Sequence, residues 1–317
     1  IGGCGKPAGK QAAGTKGKRT IVFVAKLVGI PYFNCCQKGA EQAAKDLGIN
    51  VEFTGPAKGG DVAGQVRIIE NQISRSVDAI VISPNDPNSI KPVVQKAMAR
   101  GIKVFTWDSD APDTQRIFYV CAADDVKVGT DLVDKIAKDM GGKGKLGIMS
   151  GSQGALNLNQ HVEGVKIGLK KYPNIEFVGP ILNNNDQPQL AQSLMSGLLQ
   201  AHPDIDGVVC VSSPGPPGAA RAVIAAGKQG KVKIWGLSLP SENRQYLKDG
   251  VVNGLILWDP NKMTYLAAKL VNDYLDGKKP VDGMEVKDIG KLKVSKDGII
   301  VMPSLVFTKD NVDQYDF

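Results

Sequence analysis

The 317-residue chain has little of the chemistry that most enzyme sites require. Its only two histidines, His161 and His202, lie far apart, so neither a zinc site nor a histidine-centred triad is indicated. It has no GxxxxGK[ST] loop, no GxSxG and no GxGxxG after the first strand. Asp108 and Asp110 stand two residues apart at a strand tip, where diverging side chains make a poor glycosidase pair. We therefore expect a protein that is not an enzyme and uses neither a metal nor a cofactor.

Cysteine is also scarce and irregularly spaced. The five residues are Cys4, Cys35, Cys36, Cys121 and Cys210, with no CxxC among them. An odd number at such spacing does not indicate a disulfide framework. The adjacent pair at 35 and 36 is expected to supply small helix residues near a packed surface.

A third absence is that of long apolar runs and of a basic stripe. No run of about 18 apolar residues occurs, so the chain shows no membrane-spanning segment. The net charge is +7, but residues 1–20 hold five Lys and Arg and no acid, which leaves about +2 (7 − 5) for all the rest. A nearly balanced surface does not favour a nucleic-acid partner.

Residues 1–18 are rich in Gly, Ala and Lys and lack apolar periodicity, so they are expected to form a flexible tether. The opening Ile1-Gly2-Gly3-Cys4 resembles a bacterial lipobox, in which the cysteine is lipidated. We expect Cys4 to anchor the protein to the outer face of the cell membrane, in the periplasm if the host has an outer membrane. A cloning remnant or a chance cysteine is the alternative.

From Arg19 onward, short apolar strands alternate with amphipathic helices, and the series restarts at the strand KLGIMSG (145–151). This pattern predicts two similar α/β lobes, each a doubly wound parallel sheet covered by helices on both faces. The first helix is predicted over 35–48, with Asn34 as its N-cap and Gly48 as its stop.

The chain is expected to cross between the lobes three times, near residues 122, 258 and 303. The N-terminal lobe is then predicted to comprise 19–121 and 259–302. The C-terminal lobe is predicted to comprise 122–258 and 303–317.

Ligands of open parallel sheets bind beyond the carboxyl ends of the strands. Here those ends carry hydrogen-bonding groups, among them Lys26, Asp108, Asp110 and Asp259. Carboxylates accept strong hydrogen bonds from hydroxyls, which suits a small polyhydroxylated ligand. The alternative for each position is turn chemistry, with Asp108 only capping the turn that follows it.

Aromatic residues stand beside several of these strand ends. Tyr32 and Phe33 precede the first predicted helix, and Trp107 and Trp258 each precede an aspartate. A flat ring can cover the C–H face of a sugar, which makes Tyr32, Phe33 and Trp258 candidate binding residues. Burial between sheet and helix is the alternative for the two tryptophans.

Several segments together resemble one family of binding proteins. AKLVGIPYF, GPAKGGDVAGQV, VFTWDSDAP, GLILWDP and the ending GIIVMPSLVFTKDNVDQYDF resemble the periplasmic sugar-binding proteins of the ribose-binding type. They are most similar to the branch of autoinducer-2 receptors, which serve quorum sensing, and of rhamnose-binding proteins. The resemblance implies a monomer whose two lobes close on a ligand and deliver it to a membrane ABC permease.

The resemblance also implies site residues. The Lys and Asp with which autoinducer-2 receptors of this branch hold their ligand match Lys26 and Asp108. An Asp-Gln pair of the second lobe matches Asn157 and Leu158, with Asn159 a further candidate in the same segment.

The remaining second-lobe positions, a Pro and an Ala in those receptors, match Val211 and Ser213. Asn157 and Ser213 keep the ability to form hydrogen bonds, whereas Leu158 does not. A pentose, a deoxyhexose or another small polyol is therefore as compatible with the sequence as autoinducer-2.

Two other roles belong to proteins with this fold. A sugar-sensing chemoreceptor adaptor is compatible with transport. A repressor-type effector-binding domain would need a helix-turn-helix before the first strand, and about 20 tether residues are too few for one.

Overall fold

The computed structural model describes residues 18–121 and 123–317. The predicted lipidation site Cys4 and nearly all of the predicted tether lie outside the described residues. In chain order the strands are β1 (Thr20–Val24), β2 (Asn50–Thr54), β3 (Ala79–Ile82), β4 (Lys103–Trp107), β5 (Tyr119–Cys121), β6 (Gly144–Ser150), β7 (Ile175–Phe177), β8 (Leu182–Asn183), β9 (Gly207–Cys210), β10 (Lys233–Gly236), β11 (Gly254–Leu257), β12 (Glu285–Val286), β13 (Gly290–Lys291), β14 (Lys293–Val294), β15 (Ile299–Val301) and β16 (Leu305–Phe307).

The helices alternate with these strands. They are α1 (Pro31–Leu47), α2 (Val62–Ser74), α3 (Lys91–Ala99), α4 (Asp125–Asp139), α5 (Leu156–Leu169), α6 (Pro188–Ala201), α7 (Gly215–Ala225), α8 (Pro240–Lys248) and α9 (Pro260–Leu275). A short 3₁₀ turn covers Val312–Gln314. Within the described ranges, no helix combines the length and the apolar character needed to cross a membrane.

The strands form two seven-stranded sheets and one small hairpin. The first sheet has the order β14-β15-β5-β4-β3-β1-β2, and the second β16-β11-β10-β9-β6-β7, with β8 also paired to β6. The core strands of both sheets are parallel, and only β14 and β16 run antiparallel to their neighbours. The prediction of two doubly wound parallel-sheet lobes joined by three segments is confirmed.

The chain passes between the sheets after β5, after β11 and after β15. Helix α9 follows a strand of the second sheet but packs against α1, next to the first sheet. We call the first sheet with its helices the first lobe, and the second sheet with its helices the second lobe. The boundaries at 121, 258 and 302 stay a prediction.

Both lobes use the same strand order. We number the strands of each lobe in chain order, as β1 to β5 in the first and as β6, β7, β9, β10 and β11 in the second, with the short β8 left out. The order across both sheets is then 2-1-3-4-5. The order reverses between the first and third strands, and this switch point is where α/β sheets leave a crevice for ligands. In the first lobe Val24, Ile82 and Thr106 stand opposite one another in register, so β1, β3 and β4 end at one level.

The start of α1 differs from its prediction. The helix begins at Pro31 with Ile30 as N-cap, one turn before the predicted Asn34 cap, and ends at Gly48 in the left-handed region. Proline suits the first helical turn because its φ angle is already helical and its missing N–H has no partner there. The extra turn places Tyr32 and Phe33 on the helix rather than in the preceding loop.

Helices α4 and α5 of the second lobe cross closely through two glycines. A Cβ atom on Gly129 would overlap the carbonyl oxygen of His161, and one on Gly164 would overlap that of Val126. The absence of side chains at these two positions therefore brings Asp125 of α4 beside His161 of α5.

We expect Gly164→Ala to lower the free energy of unfolding by about 1–3 kcal/mol, because the methyl group forces two backbones apart. The matched control is Gly197→Ala in α6, where no described atom lies within 4 Å of the new Cβ apart from the adjoining residues and backbone of α6 itself. Gly197→Ala should raise the free energy of unfolding by about 0.5–1 kcal/mol, because alanine favours the helix more than glycine does. Calorimetric melting of both variants checks this, and equal shifts would contradict the close crossing.

Candidate functional site

A cleft lies between the lobes, at the carboxyl ends of the core strands, and contains about 400 Å³ of space not occupied by atoms, including space open to solvent. The lining residues of both lobes are Lys26, Ile30, Tyr32, Phe33, Asp108, Asn157, Leu158, His161, Asp186, Val211, Ser212, Ser213, Leu237, Leu257 and Trp258.

Asp108 is the centre of the first-lobe wall and is only 4% exposed. The Tyr32 hydroxyl donates to its Oδ1 at 2.7 Å, and the Ser83 hydroxyl donates to its Oδ2 at 2.6 Å. The Lys26 ammonium lies 3.1 Å from Oδ2. Lys26, Ser83 and Asp108 follow β1, β3 and β4, so the level ends of these strands bring the three groups together.

The backbone of Asp108 is held in an uncommon conformation. Its φ angle is 61°, in the left-handed region that non-glycine residues seldom occupy. Two hydrogen bonds hold it there, from its own N–H to the Val120 carbonyl at 3.1 Å and from the Tyr119 hydroxyl to its carbonyl at 3.1 Å. Backbone strain that neighbours maintain in this way occurs typically at functional sites.

Tyr32 links this wall to the crossing segment after β11. The indole Nε1 of Trp258 donates to the Tyr32 hydroxyl at 2.9 Å, and that hydroxyl donates to Asp108. Burial, and next the negative charge of Asp108, raise the pKa of Tyr32 well above its ordinary value. The phenol therefore stays neutral, and its proton stays committed to the carboxylate.

Lys26 also reaches across the cleft. Its ammonium donates to Asn157 Oδ1 of the second lobe at 3.2 Å, while the side chain is buried in the contact. One lysine thus holds the first-lobe carboxylate and the second-lobe amide at the same time. Removing either partner of such a buried ion pair would leave a charge without compensation.

The second-lobe wall combines apolar side chains with polar groups, some of which are fixed by hydrogen bonds. Asp186 Oδ2 accepts from the Ser152 hydroxyl at 2.8 Å and from its N–H at 3.3 Å. The Asn184 amide donates to the Ser212 hydroxyl at 2.9 Å. Asp186 was missed in the sequence, although the polar run after β8 was a signal.

The cleft brings together most of the predicted binding residues. Those that line it are Lys26, Tyr32, Phe33, Asp108, Asn157, Ser213 and Trp258. The expected departures Leu158 and Val211 line it as well. Trp107 is fully buried and packs edge-on against Phe23 and Phe33, so its packing alternative holds.

Three predicted binding residues do not line this cleft. The carboxylate of Asp110 is paired bidentately with Arg116, at 2.7 and 2.6 Å, and also accepts from Thr106. Asp259 caps α9 by accepting from the backbone N–H groups of residues 261 and 262. Asn159 is exposed and donates to the carbonyl of Gln153. In each case the strand-end or helix-start side chain has a local partner, and its part in ligand binding stays a prediction.

The two lobes approach each other at the rim of the cleft through glycines. A Cβ atom on Gly59 of the first lobe would overlap the Asn185 carbonyl of the second lobe. A Cβ atom on Gly154 of the second lobe would lie 2.7 Å from the Asn85 carbonyl of the first lobe. We call Gly59 and Gly154 the rim glycines. They let the two main chains come into contact.

Two α/β lobes that enclose a small polar cleft between their strand ends define a bilobal binding protein. Residues 21–279 match the family described as Periplasmic binding protein domain. The chain therefore belongs to this family, and the resemblance seen in its sequence is confirmed.

Individual proteins agree with this assignment. The chain is 29% identical over 311 residues to a xylitol-binding protein of Mycolicibacterium smegmatis, covering 98% of this chain and 82% of the relative. It resembles the structure of LsrB from Clostridium saccharobutylicum in complex with AI-2, with a TM-score of 0.85, 28% identity and coverage of 94% and 100%. It also resembles a solute-binding protein from Clostridium phytofermentas with bound L-rhamnose, with a TM-score of 0.87, 26% identity and coverage of 94% and 98%.

The carboxyl group of Glu242 in α8, near the lobe interface, has a raised pKa. Glu242 is half-buried in the first turn of α8, and burial raises its pKa to about 7, against the opposing effect of Arg221. Burial raises the pKa of the Cys35 thiol of the first lobe, and among the nearby charges that of Glu242 adds the smallest contribution, after those of Lys38 and Asp259. The carboxylate form of Glu242 is therefore a cost to the folded protein at neutral pH.

We expect the Glu242→Gln variant to be more stable than the wild type above pH 7, by about 1–2 kcal/mol after allowing for partial solvent screening. The ordinary pKa is 4.5. Between that value and about 7 the folded state binds more protons than the unfolded state, so wild-type stability falls as pH rises. Near pH 4 the variant and the wild type should have the same stability. Urea unfolding across pH 4–8 measures the difference in free energy of unfolding between the variant and the wild type. Glu163→Gln, at an exposed position, is the control. A difference that does not depend on pH would contradict the prediction.

Proposed function

We propose that this chain binds a small sugar, polyol or autoinducer-2-like furanose between its lobes and delivers it to an ABC permease. The observation that carries the proposal is the buried Lys26–Asp108 pair at the level ends of β1 and β4. The relatives support it, since their names and titles give xylitol, AI-2 and L-rhamnose as ligands.

The hydrogen-bonding capacity of the pair suits such a ligand. An ammonium has three protons, and Lys26 directs one to Asp108 and one to Asn157. A carboxylate has about four acceptor sites, and Asp108 uses three with Tyr32, Ser83 and Lys26. One charged donor and one charged acceptor remain side by side, as two neighbouring oxygens of a polyol require.

Aromatic residues of the first lobe and of the crossing segment after β11 lie beside the charged pair. Tyr32, Phe33 and Trp258 line the cleft beside the charged pair. Their rings offer flat apolar surface to the C–H faces of a sugar, while the polar atoms of Tyr32 and Trp258 are engaged with each other and with Asp108. Charged hydrogen bonds and apolar ring contacts therefore act on different faces of one small ligand.

A thermal-shift panel tests the proposal and narrows the ligand. The panel contains xylitol, D-ribose, L-rhamnose and autoinducer-2, with an amino acid and a dipeptide as unrelated solutes. A ligand at a hundredfold excess over Kd should stabilise the folded protein by roughly 2.7 kcal/mol. Stabilisation by the amino acid or the dipeptide, with none by the polyhydroxylated compounds, would overturn the proposal. Unchanged sugar recovered after incubation would support binding without catalysis.

We expect Asp108→Ala to weaken binding of the panel's best ligand roughly 10- to 150-fold, the equivalent of about 1.5–3 kcal/mol for a hydrogen bond to a charged group. Calorimetric titration of the folded variant measures the change. The matched control is Asp110→Ala, which removes a buried carboxylate two residues away that pairs with Arg116 rather than lining the cleft. The control should lose stability and keep its affinity. If Asp108→Ala behaves like the control, Asp108 has only a structural role.

We further propose that Cys4 carries the lipid that holds the protein at the membrane. Two acyl chains give stable anchoring, whereas one chain holds a protein only marginally. In the native host Cys4→Ala should move the protein from the membrane fraction to the soluble fraction, with its ligand affinity unchanged. Cys210→Ala, at a buried position, serves as control. Full membrane retention of the Cys4 variant would exclude this anchor.

A further inference from the structure

His161 lies in the second-lobe wall of the cleft and is only 1% exposed. Its ring nitrogen Nε2 lies 2.9 Å from Asp125 Oδ1. The other ring nitrogen, Nδ1, is buried and has no hydrogen-bond partner within residues 18–121 and 123–317. A buried polar atom of this kind requires an explanation, because leaving it unpaired costs about 1–3 kcal/mol.

The contact with Asp125 determines which nitrogen carries the proton. An ionised carboxylate only accepts hydrogen bonds, so the neutral ring places its proton on Nε2 and leaves a lone pair on Nδ1. Asp125 stands in the first turn of α4, where the helix dipole favours a negative charge. Burial raises the pKa of the Asp125 carboxyl, and its hydrogen bond to His161 opposes that shift.

His161 shares its helix and its wall of the cleft with two other residues. Asn157, Leu158 and His161 lie at positions i, i+1 and i+4 of the α5 segment and line the same cleft. Asn157 Oδ1 is engaged with Lys26, and Leu158 offers no polar atom. His161 lines the cleft beside them, and its Nδ1 is an acceptor without a partner in the described part of the chain.

We propose that His161 Nδ1 accepts a hydrogen bond from a hydroxyl group of the bound ligand, and that it makes the second lobe select that hydroxyl. The inference rests on the proposed function and specifies the ligand further. A site built around a hydrogen bond to a hydroxyl discriminates strongly against analogues without it, because its own polar atom then stays unpaired. The ligand must therefore present a hydroxyl donor to the second lobe as well as oxygens to Lys26 and Asp108.

Two substitutions separate the acceptor from the shape of the ring. His161→Phe keeps a flat ring and removes both nitrogens. His161→Asn retains an oxygen two bonds from Cβ, at the same bond count as Nδ1. With the tightest-binding compound among xylitol, D-ribose and L-rhamnose, we expect His161→Phe to raise Kd about 5- to 100-fold. His161→Asn should recover a measurable part of that loss.

The decisive comparison uses the monodeoxy analogues of that same sugar. One analogue should bind the wild type more weakly than its parent, yet show no further loss with His161→Phe. The variant His202→Asn, which changes the chain's other histidine, should follow the wild type throughout. If His161→Phe weakens the parent and every deoxy analogue by the same factor, or binds them all like the wild type, the inference is wrong.

Nitrogen-15 NMR of the two imidazole rings gives a second readout. In the wild type the His161 ring should carry its proton on Nε2, and only its Nδ1 resonance should move towards a hydrogen-bonded shift when the sugar is added. A proton on Nδ1 of the bound form would overturn the inference while the proposed function stands. If the wild type binds none of the polyhydroxylated compounds, the proposed function fails first and the inference fails with it.

Discussion

The buried ion pair of Lys26 and Asp108 is the constraint around which the first lobe is organised. Each partner is at most 5% exposed, so each has lost most of its hydration. Such a pair is tolerated only where further hydrogen bonds satisfy both charges. Tyr32 and Ser83 supply them to Asp108, and Asn157 supplies one to Lys26. The 2-1-3-4 strand order supplies the positions, because β1, β3 and β4 are neighbours with level ends. A different strand order would separate the groups that make the pair possible.

The two walls of the cleft offer different chemical groups to a ligand. The first lobe contributes an ion pair fixed at strand ends, and the second contributes apolar side chains together with polar groups, among them the Asp186 carboxylate. Lys26 joins the walls through Asn157, so the ammonium that pairs with Asp108 also holds the two lobes together. Closure that removes water also strengthens each remaining electrostatic contact, because the effective dielectric constant falls.

Much of this organisation could be read from the sequence, because buried parallel strands leave continuous apolar runs that alternate with helices. The strand-end rule placed Lys26 and Asp108 at the position where the structure has the cleft. Asp110 does not line the cleft, since the rule gives the position of a residue but not its partner, and Arg116 binds it. His161 was missed because its significance depends on Asp125, 36 residues away along the chain, and on two glycines that bring α4 and α5 together. Such contacts follow from packing and not from local pattern.

At the rim glycines the contact between the lobes is independent of the side chains that line the cleft. At Gly59 and Gly154 the lobes meet through backbone atoms, so the closed arrangement there does not depend on the identity of any ligand-contacting side chain. Residues of the second-lobe wall, such as Leu158 and Val211, can then be exchanged without altering how the rims fit. Variants that differ only in these wall residues therefore keep the same rim contact, which makes the wall a suitable place to engineer the ligand preference of the cleft.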